Sequence, residues 1–258
     1  MKFQIDVNLS YSSPQECEFL LQIEAASTTH QKIEQSQLDV FSGKQLSRMP
    51  AEELVGYRVW FQATDRFACK YSAVVALNRP KICLTSLQQT PLSQIPCDVV
   101  KYLMPSRYCI PEDFQDFTVK EFGNHFGGAA ICAMRNWIEK NLSYVRGSSS
   151  IMTDATTSFT LGKGVCRDYS HVLIAMARAI AIPARFVSAY GPNVIPQDFH
   201  ALVEVYLDGA WHLIDPTGMS TPDETIIIGV GRDAADVSFL SSYGIANFEQ
   251  LSVDVRCV

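Results

Sequence analysis

Residues Gly162–Pro183 read GKGVCRDYSHVLIAMARAIAIP: two glycines, one cysteine at the mouth of an apolar run, and a proline at its end. After Gly164 nothing interrupts a helix until Ile182, whose α conformation Pro183 disfavours, so the stretch predicts about four turns from Val165 to Ala181. Leu173, Ala177 and Ile180, with Val172 and Met176 beside them, give that helix a broad apolar side that belongs in a core. Cys166 then lies in the first turn, where unpaired backbone N–H groups and the positive end of the helix dipole favour a thiolate and can receive an oxyanion. Gly162 and Gly164 leave room for a substrate carbonyl to approach the backbone.

Position alone does not separate a nucleophile from an inert core thiol, and the chain has eight cysteines. A partner base is needed. His171 lies roughly 140° round the helix from Cys166 and points away. His200 and Asp215 fit better. Residues 199–208 alternate like a strand, Asp208-Gly209 is a two-residue hairpin turn, and Ala210 to Asp215 reads as the return strand. If Leu207 pairs with Ala210, Leu202 faces Asp215 and His200 faces Thr217, so His200 and Asp215 are diagonal neighbours on one sheet face. A one-residue slip would part them. In that register Asp215 orients His200, and His200 serves Cys166 as base. His212 falls on the opposite face and reads as structural.

The stretches GVCRDYSHVLIAMARAIAIPARFVSAYG and DFHALVEVYLDGAWHLIDPTG resemble the core of the transglutaminase-like superfamily, whose cysteine, histidine and aspartate come in this order. The resemblance extends to IIIGVGRDAADVSF, Ile226 to Phe239, and more weakly to YLMPSRYC, as in bacterial transglutaminase-like cysteine proteases. It implies a papain-like fold and a thiol triad, with Cys166 as nucleophile, His200 as base and Asp215 as the orienting carboxylate. Tyr144 stands roughly where the family has an aromatic that can donate to an oxyanion; with Gly164 it is a candidate oxyanion or cleft residue, packing being the competing role. Leu202 and Ser170 depart from the family's usual tryptophan and alanine.

Elsewhere the chain of 258 residues, 47% hydrophobic, is long enough for one large or two modest domains. A net charge of −6, a pI near 5.4 and scattered basic residues favour neither nucleic acid nor an anionic membrane. No leader or membrane span is legible, and the cysteines show no CxxC pair, so a cytoplasmic protein with no disulfide framework, metal site or cofactor is expected.

The first hundred residues read as β-rich. Phe3 to Tyr11 alternates and ends at a Ser12-Ser13-Pro14 turn, Cys17 to Ala25 repeats the theme, and Gln35 to Phe41 follows more weakly. Tyr57 to Ala63 and Phe67 to Leu77 flank Thr64-Asp65-Arg66 and predict a hairpin. The expected architecture is α+β: an N-terminal antiparallel β-sandwich that acts as a scaffold, then a papain-like, transglutaminase-like core with the nucleophile helix packed on an antiparallel sheet. Residues 1–111 hold the β-rich domain and its proline-rich linker, and 112–258 the core.

Within the core, Val119 to Asn141 predicts a helix whose start is blurred by Asn124-His125 and Gly127-Gly128, with His125 at a cap or on the surface. Residues 153–161 read as a polar loop delivering the chain to Gly162, and Ala184 to Tyr190 as a strand. Arg185 is expected to point outward into solvent, an ion pair at the cleft being the alternative. Asp168 is expected to be turned from Cys166 or paired, and Arg232, Asp233 and Asp236 to fix the turn after the Ile226 to Val230 strand.

The triad predicts acyl transfer from an amide of a peptide or protein substrate through a thioester on Cys166. Water as acceptor makes a peptidase or amidase; a lysine-type amine makes a crosslinking transglutaminase. Hydrolysis is favoured because no segment evidently builds a water-excluding acceptor site. A non-catalytic protein-binding module and an acyltransferase fed by an activated thioester remain as other classes.

Overall fold

The structure is a computed structural model that describes residues 1–258. It opens with three long strands, β1 (Lys2–Leu21), β2 (Gln31–Pro50) and β3 (Tyr57–Leu77), with β3 paired antiparallel to both others. The expected hairpin at 64–66 does not form. Residues 57–63 and 67–77 are one strand, paired with β1 on both sides of the interruption, Cys17 with Ala63 and Tyr11 with Phe67. Asp65 and Ser42 take left-handed φ of 63° and 61° at the register shifts, so the turn residues make a corner rather than a reversal. Phe61 and Phe67 would lie about 20 Å apart on a straight strand. Their ring centroids are 4.8 Å apart, because the sheet folds over and packs its own two halves face to face.

Odd-numbered residues of β1, from Phe3 to Leu9 and again from Cys17 to Leu21, fill the interior with Phe61, Phe67 and Tyr71. The chain's end completes this sheet: β10 (Leu240–Ser242) and β11 (Asn247–Cys257) pair with the two ends of β1. β2 forms the other edge and is mostly exposed and polar, as a free edge must be to avoid pairing with another chain.

The proline-rich stretch after β3 carries only short helical turns, among them α1 (Cys97–Val100). The predicted Val119–Asn141 helix is two helices, α2 (Gln115–Phe122) and α3 (Gly127–Asn141). Phe126 is extended between them, and α3 begins on two glycines for a steric reason: a Cβ on Gly128 would sit 1.7 Å from the Leu84 carbonyl oxygen. The expected polar loop at 153–161 is also corrected. After β4 (Ser143–Tyr144), residues form α4 (Ala155–Leu161), capped by Asp154, whose Oδ1 accepts from the Thr157 N–H at 2.8 Å, and ended by Gly162 at φ 62°.

β5 (Lys163–Gly164) pairs in parallel with β4 and leads into α5 (Cys166–Ala179). Then come β6 (Ala184–Tyr190), β7 (His200–Leu207), β8 (Ala210–Ile214) and β9 (Ile226–Gly231), in an antiparallel sheet ordered β8-β7-β6-β9. Leu173, Ala177 and Met176 of α5 share a buried cluster with Ala201, Val203, Val205 and Leu207 of β7, the helix-on-sheet arrangement expected. Leu202, Val187 and Val230, on the sheet's other side, meet Ala26 and Val55 of the N-terminal half. The Gln31 amide stitches that seam, donating to the Ala26 and Ile227 carbonyls at 2.6 and 2.8 Å and accepting from the Ile227 N–H at 2.8 Å.

Candidate active site

Cys166 is the first residue of α5, half-buried at the edge of the core cluster rather than enclosed in it. The turn before it depends on both glycines. Gly162 is left-handed, and a Cβ at Gly164 would fall 2.6 Å from the Asp168 Cβ. Asp168 reaches back from the third helical position to accept from the Val165 N–H at 2.8 Å, which fixes where the helix begins. It is fully buried and paired rather than free, accepting also from the Ser149 hydroxyl at 2.8 Å and lying 3.4 Å from Arg167.

Tyr144 is opposite Gly164 in the β4–β5 bridge. Burial raises the pKa of its phenol above the ordinary value, and the neighbouring Cys166 charge raises it further, so its hydroxyl stays a donor facing the cysteine. The two candidate cleft residues therefore lie together beside Cys166.

The hairpin forms in the expected register, Leu207 against Ala210 and Val203 against Ile214, around a turn with Asp208 and Gly209 at φ 46° and 75°. That register brings His200 Nε2 to 2.8 Å from Asp215 Oδ2. Asp215 is held on all sides: Oδ1 accepts from the Thr217 N–H and hydroxyl at 2.8 and 2.7 Å, and Oδ2 from the Ser220 N–H and hydroxyl at 2.8 and 3.0 Å. Burial alone would raise its pKa; the His200 hydrogen bond and charge, with the Thr217 donors, outweigh that and hold it at about 2.

For His200, 2% exposed, burial would favour the neutral ring. Hydrogen bonding and charge from Asp215 and Cys166 overcome it and push the pKa up to about 10. Because Asp215 is an acceptor throughout, Nε2 carries a proton toward it. Nδ1 has no hydrogen-bond partner, and the Cys166 thiol is the neighbouring group on that ring. The structure thus brings Cys166, His200, Asp215, Tyr144 and Gly164 into one site.

The other candidates fall elsewhere. His171 is buried, stacked on Tyr108 at 4.9 Å, and accepts from the Ala234 N–H at 3.2 Å through Nε2; burial keeps it well below its ordinary pKa. His212 bonds the Leu207 carbonyl at 3.1 Å, and His125 is exposed. Arg185 corrects the expectation of a solvated side chain. It is 6% exposed, 2.8 Å from Glu204, paired with Glu53 and stacked 4.2 Å over Trp211, tying the sheet to the N-terminal half. Arg232 and Asp236 pair at 3.0 Å, while the Asp233 carboxylate accepts from Tyr108 N–H at 2.9 Å, so the turn after β9 is fixed as expected.

Thr217, Ser220 and Ser149 escaped sequence reading. The signal for the first two was present: Asp215-Pro-Thr-Gly-Met-Ser puts hydroxyls two and five residues after the carboxylate, where a tight turn folds them back on it. A cavity of about 690 Å³ bounded by Trp211, Leu213, Ile227 and Arg79 lies against Asp215, but Cys166 is not in its wall. No cluster of three or more histidine, cysteine, aspartate and glutamate side chains is placed to hold a metal ion.

A family model of the transglutaminase-like superfamily matches residues 118–216, which include Cys166, His200 and Asp215. The crystal structure of a "putative cysteine protease" from Cytophaga hutchinsonii superposes with a TM-score of 0.90 at 30% identity, covering 99% of this chain and 90% of that one. This chain belongs to the transglutaminase-like superfamily. The likeness runs through the N-terminal sheet as well as the superfamily core. An uncharacterized protein of Mycobacterium leprae is 30% identical over 125 residues, 45% of this chain and 44% of its own length. One from Mycobacterium tuberculosis (strain ATCC 25618 / H37Rv) is 29% identical over 133 residues, 46% and 42%. The chain thus spans less than half the length of these curated relatives.

Proposed function

We propose that this transglutaminase-like protein is a thiol enzyme that hydrolyses a peptide or side-chain amide of a peptide or protein substrate through a thioester on Cys166. One observation carries the reading: a half-buried cysteine at a helix mouth neighbours a buried histidine whose Nδ1 is unpartnered and whose Nε2 is tied to an aspartate. His200 holds the Cys166 proton on Nδ1, the two resting as an ion pair, and the thiolate attacks the amide carbonyl carbon. The Cys166 N–H at the helix mouth and the neighbouring Tyr144 hydroxyl receive the developing oxyanion. The amine leaves with the proton from His200, and water, deprotonated by the same ring, releases the acid. Asp215 keeps the ring oriented and its charge compensated, itself fixed by Thr217 and Ser220. The N-terminal sheet, completed by β10 and β11, acts as scaffold.

The test uses p-nitrophenyl acetate, a small activated ester, followed by intact mass. A single acetyl adduct mapped to Cys166, decaying at a rate unchanged by a primary diamine, is expected for a hydrolase. Decay that accelerates with the diamine and yields its amide makes the enzyme a crosslinking transferase. No adduct on Cys166 makes the fold a binding module.

A further inference from the structure

Tyr144 sits in a nine-residue segment, 142–150, that is tied down at both ends by the three residues following the cysteine. At one end, the Tyr169 hydroxyl donates to the Leu142 carbonyl at 2.6 Å, and its ring lies 5.9 Å from that of Tyr144. At the other, Asp168 accepts from the Ser149 hydroxyl at 2.8 Å, and Arg167 donates to the same hydroxyl and to the Ser150 carbonyl. Between the ties, the Ser143 and Val145 N–H groups donate to the Gly162 and Gly164 carbonyls, both at 2.9 Å.

The side chains holding the segment therefore radiate from the same helical turn that presents Cys166. Buried carboxylates are costly to place without partners. Asp168 is wholly buried and uses its two oxygens on two different tasks, the Val165 N–H at the helix start and the Ser149 hydroxyl on the segment. One side chain thus fixes the helix mouth and the strand carrying Tyr144 in a common frame.

We propose that Arg167, Asp168 and Tyr169 form a clamp that sets the Tyr144 hydroxyl against Cys166, with Asp168 and Ser149 as positioning residues for oxyanion stabilisation. This rests on the proposed thiol chemistry. A donor misplaced by a fraction of an ångström loses much of its value in a transition state, so loosening the clamp reduces acylation without changing the thiol or its base.

Two probes separate those effects. With p-nitrophenyl acetate, the Cys166 sulfur forms a bond to the carbonyl carbon, p-nitrophenolate departs, and an oxyanion must be held on the way. Iodoacetamide alkylates the same sulfur by displacing iodide and forms no oxyanion. Ser149→Ala, a half-buried loop change that leaves Arg167 beside the Asp168 carboxylate, and Tyr169→Phe are each expected to slow acetylation about tenfold, with iodoacetamide alkylation of Cys166 within about twofold of the parent. In a Tyr144→Phe background, itself slowed similarly, Ser149→Ala is expected to add no further loss. Asp168→Asn keeps an acceptor and follows the same pattern if it folds; Ser149→Ala decides the matter if it does not. Independent, multiplicative losses for Ser149→Ala and Tyr144→Phe, equal slowing with both probes, or no effect of Tyr144→Phe would overturn the clamp. Failure of the thiol reading looks different: alkylation of Cys166 then no longer depends on His200 in the parent protein.

Discussion

The interior of the folded-over sheet and the ground beneath Cys166 are both buried, yet they hold their contents by opposite means. In the sheet, Phe19, Phe61 and Phe67 cluster with ring centroids 4.5–5.1 Å apart, attracted by dispersion and by release from water, neither of which dictates one orientation. Around the site, His200, Asp215 and Asp168 are withdrawn from water just as fully, and each is aimed by hydrogen bonds to named atoms. Apolar burial supplies stability; polar burial supplies position. The proposed chemistry belongs where the second kind is concentrated, and substitutions should separate the two.

The largest effect falls on the site. Cys166→Ala should abolish acetyl-enzyme formation, and His200→Ala should slow it by about a thousandfold, both read by intact mass. Neither substitution removes an apolar core residue. Next, Phe67→Ala should destabilise the fold by about 3–5 kcal/mol in urea denaturation while leaving the acetylation rate of the folded protein unchanged. A matching fall in that rate would mean that the two regions are coupled.

Arg185 is the bridge between them, and Arg185→Leu, which strands the Glu204 carboxylate and leaves Glu53 with Lys101 alone, should cost about 3 kcal/mol by the same measurement. Adding Glu204→Leu should recover part of that loss. The remaining effect is one of pH. His200 is raised to about 10 in the fold, so its stabilisation is complete below its ordinary pKa of 6.5 and is lost as pH rises toward 10. Asp215 is lowered from 3.8 to about 2, so its contribution is complete above 3.8 and is lost as pH falls through that interval. Melting temperature should therefore lose a contribution on either side of the window between about pH 4 and 6.5. Asp215→Asn should flatten both limbs, and an unchanged pH profile would show that the pair is not ionised.

The same contrast governs what was legible in the sequence. The hairpin and α5 could be placed because their signals are local: Asp208-Gly209 permits the positive φ angles of a tight turn, and alternation fixes which residues share the face of His200. In the N-terminal half, Thr64-Asp65-Arg66 was equally strong punctuation, but a turn-prone residue with positive φ can bend a strand as readily as reverse it. Only pairing with β1 on both sides decides between them. Helix α4 was hidden because its polar residues resemble a loop, although Asp154 and Gly162 bracket it as cap and stop. Arg185 and Ser149 find their partners far along the chain, at Glu204, Glu53 and Asp168, and no local pattern announces such contacts.

The most direct measurement is alkylation by iodoacetamide at mildly acidic pH, followed by intact mass and peptide mapping, for the parent protein and for His200→Ala. Rapid modification confined to Cys166 in the parent, and lost in the variant, is the predicted result. Equal, slow modification of several cysteines in both proteins would contradict a thiol activated by His200.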